Sequence, residues 1–289
     1  MNITRRVEAL RVQGIVTASG GKWRDGVRAS PAQRIYRYFE VVQIIASRTL
    51  QTRYRGSVLG VFWSLSNPIL MTGIYALIFG TAFASYYQGS VLRYVAATFV
   101  GLAVLTVFAG TTSQALTSIV TNGGLLNKVR LPVSIFPVAN AAANFFQFFI
   151  GTFPVLVIVT AIETRSIVNV VALIVPAIGL IMVSIGVSLL TSSLYVYFRD
   201  LPYMYEMVLF IIWITSPIFY PASLVPPRIR TILAFNPIVS IVNSFRQIAL
   251  TKQPPDFALM GLALLAGISI LAVGAIAFRF LKRDFMDLL

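Results

Sequence analysis

The side chains available for chemistry in this chain are few. It holds nine carboxylates and 23 lysines and arginines, with no histidine and no cysteine. Without those two residue types the usual zinc ligands and the Ser-His and Cys-His nucleophile pairs are missing. The acids, at Glu8, Asp25, Glu40, Glu163, Asp200, Glu206, Asp256, Asp284 and Asp287, are scattered rather than paired for general acid–base work. Two other chemistries remain. Arg53 and Arg55 flank Tyr54 just before a long apolar stretch, and a guanidinium presents a planar fork of donors that matches a phosphate. Anchoring to anionic phospholipid headgroups would use the same fork. Tyr75, Phe79 and Phe83 recur every four residues, so on a helix they share one face, and Phe210 and Trp213 are three apart. Such aromatic stripes serve packing or an interfacial belt in many membrane helices, and Tyr86, Tyr87, Phe219 and Tyr220 fit the belt by position.

The elements that must hold these residues follow from composition. Of 289 residues 57% are hydrophobic and 11% charged, against roughly 25% charged in a soluble domain, and mean hydropathy is +0.83. The solvent for such a chain is a bilayer. Charge-free runs cover 56–92, 94–127, 131–162, 166–198, 207–227 and 257–278. Each is long enough for the helix of about 20 residues that spans the hydrocarbon core, which predicts six transmembrane helices. A seventh run, 231–245, is too short to cross and is broken at Asn236-Pro237. It predicts a pair of short helices that enter and leave on one side, a re-entrant segment over 223–253. Arg246 lies in its apolar second half, where facing lipid would cost ~2.5–3.5 kcal/mol, so it should face water, headgroups or a partner.

The formal charge of +14 suggests a nucleic-acid binder until the charges are placed. With the N-terminus inside, 17 of the 23 basic residues fall in cytoplasmic segments and six outside. That bias puts both termini in the cytoplasm and makes the charge a topology signal, with no nucleic-acid partner. Residues 1–31 are basic and lack an apolar core, so they read as a cytoplasmic extension rather than a signal peptide. Ser30-Pro31 can start a helix. Through 32–55, Ile35, Tyr38, Phe39, Val42, Ile45, Ala46, Thr49 and Leu50 form one apolar face of an amphipathic helix in the membrane surface. Residues 56–289 then form a six-helix domain with a short cytoplasmic C-terminus. Glu206 falls in the first turns of the fifth helix, where the dipole favours a carboxylate. Gly56 and Gly60 make a GxxxG at the membrane edge, a weak dimer signal. The fold class is all-α integral membrane.

Several ordered motifs fit this plan. They are Arg53-Tyr54-Arg55-Gly56-Ser57-Val58-Leu59-Gly60 with Trp63-Ser64-Leu65 and Asn67-Pro68; Asn127-Lys128-Val129-Arg130-Leu131-Pro132; Tyr197-Phe198-Arg199-Asp200-Leu201-Pro202; Ser216-Pro217-Ile218-Phe219-Tyr220-Pro221; and Asn236-Pro237-Ile238. Together, from about Arg34 onward, they resemble the ABC-2-type permeases of polysaccharide exporters, the O-antigen, capsule and teichoic-acid transporters. The resemblance implies the permease subunit of an ATP-driven exporter in the bacterial inner membrane, built from two copies of this chain and two ATP-binding subunits. Its substrate would be a lipid-linked cell-envelope polysaccharide, such as an O-antigen of lipopolysaccharide. The phosphate-loop pattern is absent, Gly21-Lys22 being followed by tryptophan, so ATP and magnesium would be used by the partner ATPase, with no cofactor or metal bound here.

The same resemblance implies roles for particular residues. Tyr75, Phe79, Phe83, Phe210 and Trp213 would line the translocation pathway, where aromatic faces stack on sugars yet let them slide. Arg53 and Arg55 would meet the lipid-linked pyrophosphate. Asn127, Lys128 and Arg130 would form a coupling contact with the ATPase, with Arg199 a second; positive-inside anchoring explains Lys128 and Arg130 equally well. Asn236, Pro237 and Arg246 would belong to an outer gate. A nearby alternative is an ABC-2 exporter of a drug or small lipid. An intramembrane transferase would want clustered acids or histidines, a passive channel would be indifferent to the ATPase, and a secondary transporter would more often carry internal repeats.

Overall fold

A computed structural model of the protein describes residues 31–126, 131–233, 236–282 and 285. All regular structure among them is helical. Helix α1, Pro31–Arg53, is the amphipathic helix read from the sequence; Ser30, its expected cap, lies outside the described residues. Val41, Val42 and Ala46 of α1 pack on Ile135, Ala139 and Ala143, while Ile35, Tyr36 and Phe39 stay exposed. The helix therefore has two apolar edges, one packed on protein and one exposed. The chain then turns through Gly56 and Gly60, both at positive φ (79° and 50°). These glycines serve turns, not a helix face, which removes the GxxxG as a helix-pairing motif.

Helix α2, Trp63–Phe83, is extended by 3-10 turns at both ends, Gly60–Phe62 and Ala84–Tyr87. Helix α3, Val91–Leu116, starts where the Ser90 side chain accepts from the Arg93 amide. Two short helices follow, α4, Ser118–Thr121, and α5, Gly123–Leu126. Helices α6, Ile135–Ile150, and α7, Thr152–Thr164, meet at a 40° bend. Pro154 causes it: its ring displaces the hydrogen bond that the Ile150 carbonyl would accept. At Gly151 a Cβ would stand 2.7 Å from Ser64 Oγ, so the bend also lets the start of α2 approach closely. Pro176 acts likewise on the next span, which breaks at Leu173 into α8, Ile167–Ala172, and α9, Ile174–Tyr197.

Helix α10, Leu201–Thr215, is shorter than the charge-free run 207–227 led us to expect. Proline disfavours helix at the residue before it, and Ser216, preceding Pro217, is extended with ψ 125°. Residues 216–221 are irregular, and a 3-10 turn at Ala222–Leu224 leads to α11, Pro227–Leu233, and α12, Pro237–Leu250. These two short helices separate at Asn236-Pro237, as expected, with Asn236 capping the Ile238 amide and Pro237 in the first turn. Helix α13, Phe257–Leu281, is capped by Asp256.

Four helical stretches, Gly60–Tyr87, Val91–Leu116, Ile167–Tyr197 and Phe257–Leu281, are long and apolar enough to cross a membrane, and the bent α6–α7 pair makes a fifth if it is one span. Helix α10 has 15 residues, about 22 Å at ~1.5 Å per residue, and alone falls short of a ~30 Å hydrocarbon core. Helix α3 sits at the centre, with side chains from α6, α7, α9 and α12 around it; Phe99, Phe108, Phe148, Leu180 and Phe245 are among the residues buried there. Over its most apolar stretch 61% of α3 is buried, against 11% for α2, so α2 is a peripheral helix in a single chain.

Helices α9 and α13 come closer than any side chain allows. A Cβ on Gly274 would stand 2.0 Å from the Gly186 carbonyl oxygen, and one on Gly186 would stand 2.5 Å from that of Ile270. Gly179 and Gly186, like Gly267 and Gly274, are seven residues apart, two turns along one face. The two backbones touch along this line, the close approach that small residues permit between membrane helices.

Candidate functional site

The aromatic face read from the sequence is present and larger than expected. Along α2, Tyr75 and Phe79 stack with ring centroids 6.3 Å apart, and Phe79 and Phe83 with centroids 5.5 Å apart. On α10, Phe210 and Trp213 lie 6.1 Å apart. Phe219 joins the two sets. It stacks on Tyr75 at 5.0 Å and 9°, and stands 6.0 Å from Trp213. Position alone fits Phe219 to an interfacial belt; the irregular segment after α10 turns it back over α2 instead. Tyr220 is half-buried, its hydroxyl donating to the Ile214 carbonyl. At its other end the row continues through Phe83 to Tyr94, 5.9 Å away and fully buried.

One end of this surface opens into a groove of about 500 Å³ between α2, α3 and α10, whose lining includes Asn67, Thr106, Ser113, Phe210 and Trp213. A carboxamide, two hydroxyls and an indole stand among leucine, methionine and alanine side chains there, a mixture that can accept and donate to sugar hydroxyls and stack on a sugar ring. Phe210 is 56% exposed, and Tyr75, Phe79 and Trp213 are half-buried. The rings therefore form a surface rather than a sealed core.

The segment behind Phe219 is held by side chains from two other helices. Arg246 of α12 donates from Nε to the Ala97 carbonyl at 3.0 Å, and from Nη1 and Nη2 to the Pro217 and Ile218 carbonyls at 2.5 Å each. The Tyr94 hydroxyl donates to the Phe219 carbonyl at 2.9 Å, and Asn236 Nδ2 to Ser216 Oγ at 3.1 Å. Arg246 is half-buried and turns its guanidinium onto backbone carbonyls of its own chain. The reason is local: a proline-broken segment leaves carbonyls without helical donors, and a guanidinium supplies several at once.

Arg53 lies at the end of α1 and is half-buried. Its Nη1 donates to Asn144 Oδ1 at 3.1 Å and Gln147 Oε1 at 2.9 Å, and its Nη2 to Gln114 Oε1. Asn144 Nδ2 in turn donates to Gln114 Oε1 at 3.0 Å. This amide cradle was missed in the sequence, although Asn140, Asn144 and Gln147 occupy one face of the otherwise apolar α6 at i, i+4 and i+7. The amides carry no charge, and the one ion pair among the described residues, Arg93 to Glu163 at 3.6 Å, is elsewhere. Arg53 therefore keeps a net positive charge at this site, and neighbouring Arg55 is exposed. About four turns earlier on α1, Tyr38 meets Ser134 Oγ at 3.3 Å; burial raises its phenol above its ordinary pKa, and the serine contact partly offsets this.

Asn127, Lys128 and Arg130, the expected coupling residues, lie outside the described residues; α4 and α5 lead directly to them. Arg199 is exposed, its guanidinium carbon 5.6 Å from the centre of the Tyr195 ring. Glu206 is exposed on α10. No group of three acidic side chains that could hold a metal ion occurs among the described residues.

The chain is similar to three permeases of known assignment. It is 27% and 25% identical over 253 residues to two O-antigen export system permease proteins RfbA of Klebsiella pneumoniae, covering 87% of this chain and 95% of each relative. It is 27% identical over 260 residues to the O-antigen export system permease protein RfbA of Myxococcus xanthus, covering 88% of this chain and 97% of the relative. The sequence profile described as ABC-2 type transporter matches residues 40–250, from within α1 to the end of α12 and so across the whole aromatic surface; with its several long apolar helices, this multi-pass membrane protein belongs to the ABC-2 type transporter family.

Proposed function

We propose that this chain is the permease subunit of an ATP-driven exporter that moves a lipid-linked cell-envelope polysaccharide across the bacterial cytoplasmic membrane. The observation that carries the reading is the continuous row of rings shared by α2 and α10, on the side of the molecule that the chain leaves least covered. A polymer in transit needs weak, repeated and similar contacts, and ring faces with a few hydroxyls and amides offer them. The O-antigen export names of the relatives support the same substrate class.

In this reading two copies face each other across a twofold axis and close the conduit that one copy leaves open. Six spans are made by α2, α3, α6–α7, α8–α9, α10 with its irregular extension, and α13. Helices α11 and α12 form the re-entrant outer segment, both termini are cytoplasmic, and residues 1–31 are a cytoplasmic extension. Two ATP-binding subunits dock below α4 and α5 through Asn127, Lys128 and Arg130, with Arg199 as a second contact, and they alone bind ATP and magnesium. Arg53 and Arg55 attract the pyrophosphate of the lipid carrier, Arg55 as the freer of the two.

The test uses cells depleted of this protein, with an impermeant glycan-modifying enzyme applied before and after lysis. Accumulation of long, inward-facing lipid-linked glycan is expected, and wild-type chain should clear it. Tyr75→Ala, Trp213→Ala and Phe219→Ala should lower export while the assembled complex is recovered intact. Glycan reaching the outside at normal length in depleted cells would refute the polysaccharide reading and favour export of a drug or small lipid.

A further inference from the structure

We propose that Arg246 is the positioning residue of the aromatic surface: by holding the carbonyls of Pro217 and Ile218 it fixes Phe219 in its stack with Tyr75 and Trp213. The inference rests on the proposed function, since it assigns a task to a residue behind the transport surface. Phe219 follows a proline-broken stretch with few backbone bonds of its own, the Ile218 amide donating to the Ser216 carbonyl at 2.7 Å. Pro217 and Pro221 have no N–H, and the last carbonyls of α10 lack helical donors. Three successive carbonyls, of Pro217, Ile218 and Phe219, are each taken by a side chain: the first two by Arg246 of α12, the third by Tyr94 of α3. The place of the Phe219 ring is therefore set largely by α3 and α12, while α10 holds the flanking Ser216 amide and Tyr220 hydroxyl through its Ile212 and Ile214 carbonyls.

Two further features fit this task. Gly101 on α3 leaves the gap into which the segment and the guanidinium settle: a Cβ there would stand 2.9 Å from Ile218 Cγ2 and 3.2 Å from Arg246 Nη2. No carboxylate among the described residues is within ion-pair distance of Arg246. Its charge is satisfied by the carbonyl dipoles of Ala97 in α3 and of Pro217 and Ile218 just past the end of α10. A lysine would keep that charge but not the fork, since its donors radiate from one nitrogen while the guanidinium reaches three carbonyls in a fixed plane.

The natural absence of cysteine makes a direct test possible. The pair Tyr75→Cys with Phe219→Cys, bridged in membrane vesicles by a short bifunctional thiol reagent, reports whether residue 219 lies over residue 75. Cross-linking should be efficient with Arg246 present, several-fold lower with Arg246→Gln, and intermediate with Arg246→Lys. Should Arg246→Gln fail to accumulate, Tyr94→Phe and Gly101→Ala serve instead, and both should lower the yield. Unchanged cross-linking in a folded Arg246→Gln or Tyr94→Phe protein overturns the proposal.

Export is measured in parallel with the aromatic residues restored. Arg246→Gln should reduce it and Arg246→Lys should recover part. If Tyr75→Ala impairs export but Arg246→Gln, with its cross-link lost, exports normally, the positioning role is refuted while the transport surface stands. If Tyr75→Ala, Trp213→Ala and Arg246→Gln all export normally although the cross-link is lost, the transport surface is refuted and the clamp survives as architecture alone.

Discussion

Replacing Arg53 by alanine should destabilise the protein by about 2–3 kcal/mol, and the figure follows from what each lost partner can do next. The guanidinium donates to Asn144, Gln147 and Gln114. Bonds from a charged donor are worth roughly 1.5–3 kcal/mol each, so three taken singly would suggest more than twice this loss. Gln114 is exposed and Gln147 half-buried, however, so water replaces the arginine at both. Asn144 is only 9% exposed, and its Oδ1 is left without that donor, although its Nδ2 still reaches Gln114 and the Asn140 carbonyl. One buried acceptor lost costs about 1–3 kcal/mol, and the release of the α1 end adds a fraction more. Arg53→Lys reaches one or two of the three oxygens and should recover about half. The assay is thermal unfolding of the detergent-purified protein, in which each kcal/mol moves the midpoint by roughly 2–4 °C for a chain of this size. The apparent affinity for a pyrophosphate-linked lipid, measured on the same samples, should fall for alanine and partly return for lysine. An Arg53→Ala protein that melts with the wild type would show the cradle holds nothing. Unchanged lipid affinity in a destabilised variant would confine Arg53 to architecture.

Two other perturbations probe packing and protonation. Gly274→Ala places a methyl group 2.0 Å from the Gly186 carbonyl oxygen and should cost about 1–3 kcal/mol, whereas Gly261→Ala on the same helix meets nothing within 4 Å and should be neutral or slightly stabilising in unfolding experiments. Tyr38 has a folded pKa above the ordinary 10.0 because burial disfavours its phenolate. Its contribution to stability is complete below pH 10 and is lost as pH rises through the folded value. Alkaline unfolding of Tyr38→Phe should therefore be less steep than that of the parent protein, and parallel curves would show that Tyr38 ionises as if exposed.

What could be read in the sequence was what periodicity and charge encode. Four of the six charge-free runs coincide with helices long and apolar enough to cross a membrane and a fifth with the bent α6–α7 pair, and the i, i+4 spacing of Tyr75, Phe79 and Phe83 gives a face that the structure contains. Asn236-Pro237 gives the break between α11 and α12 because capping and a missing N–H act locally. The fate of Phe219 was not legible, since it depends on Arg246 and Tyr94 from distant segments. Charge-free length also misjudged α10: apolarity sets where a chain is content in lipid, while Pro217 sets where the helix stops. The Arg53 cradle was half legible. The amide face of α6 is a sequence pattern, but its meeting with α1 is tertiary.

The backbone contact between α9 and α13 has a consequence for biosynthesis. Helix α9 leaves the ribosome well before α13, with residues 198–256 between them. Until α13 arrives, the Gly179–Gly186 face of α9 has no partner and must rest against lipid or an insertion factor. Its groove is shaped for another backbone and is poorly filled by acyl chains. Helix α13 then docks onto a helix inserted earlier, after α10, α11 and α12 have been made. A chain interrupted between α12 and α13 would keep every residue of the aromatic surface and still expose an open seam, the kind of surface by which membrane quality-control proteases could recognise an unfinished protein.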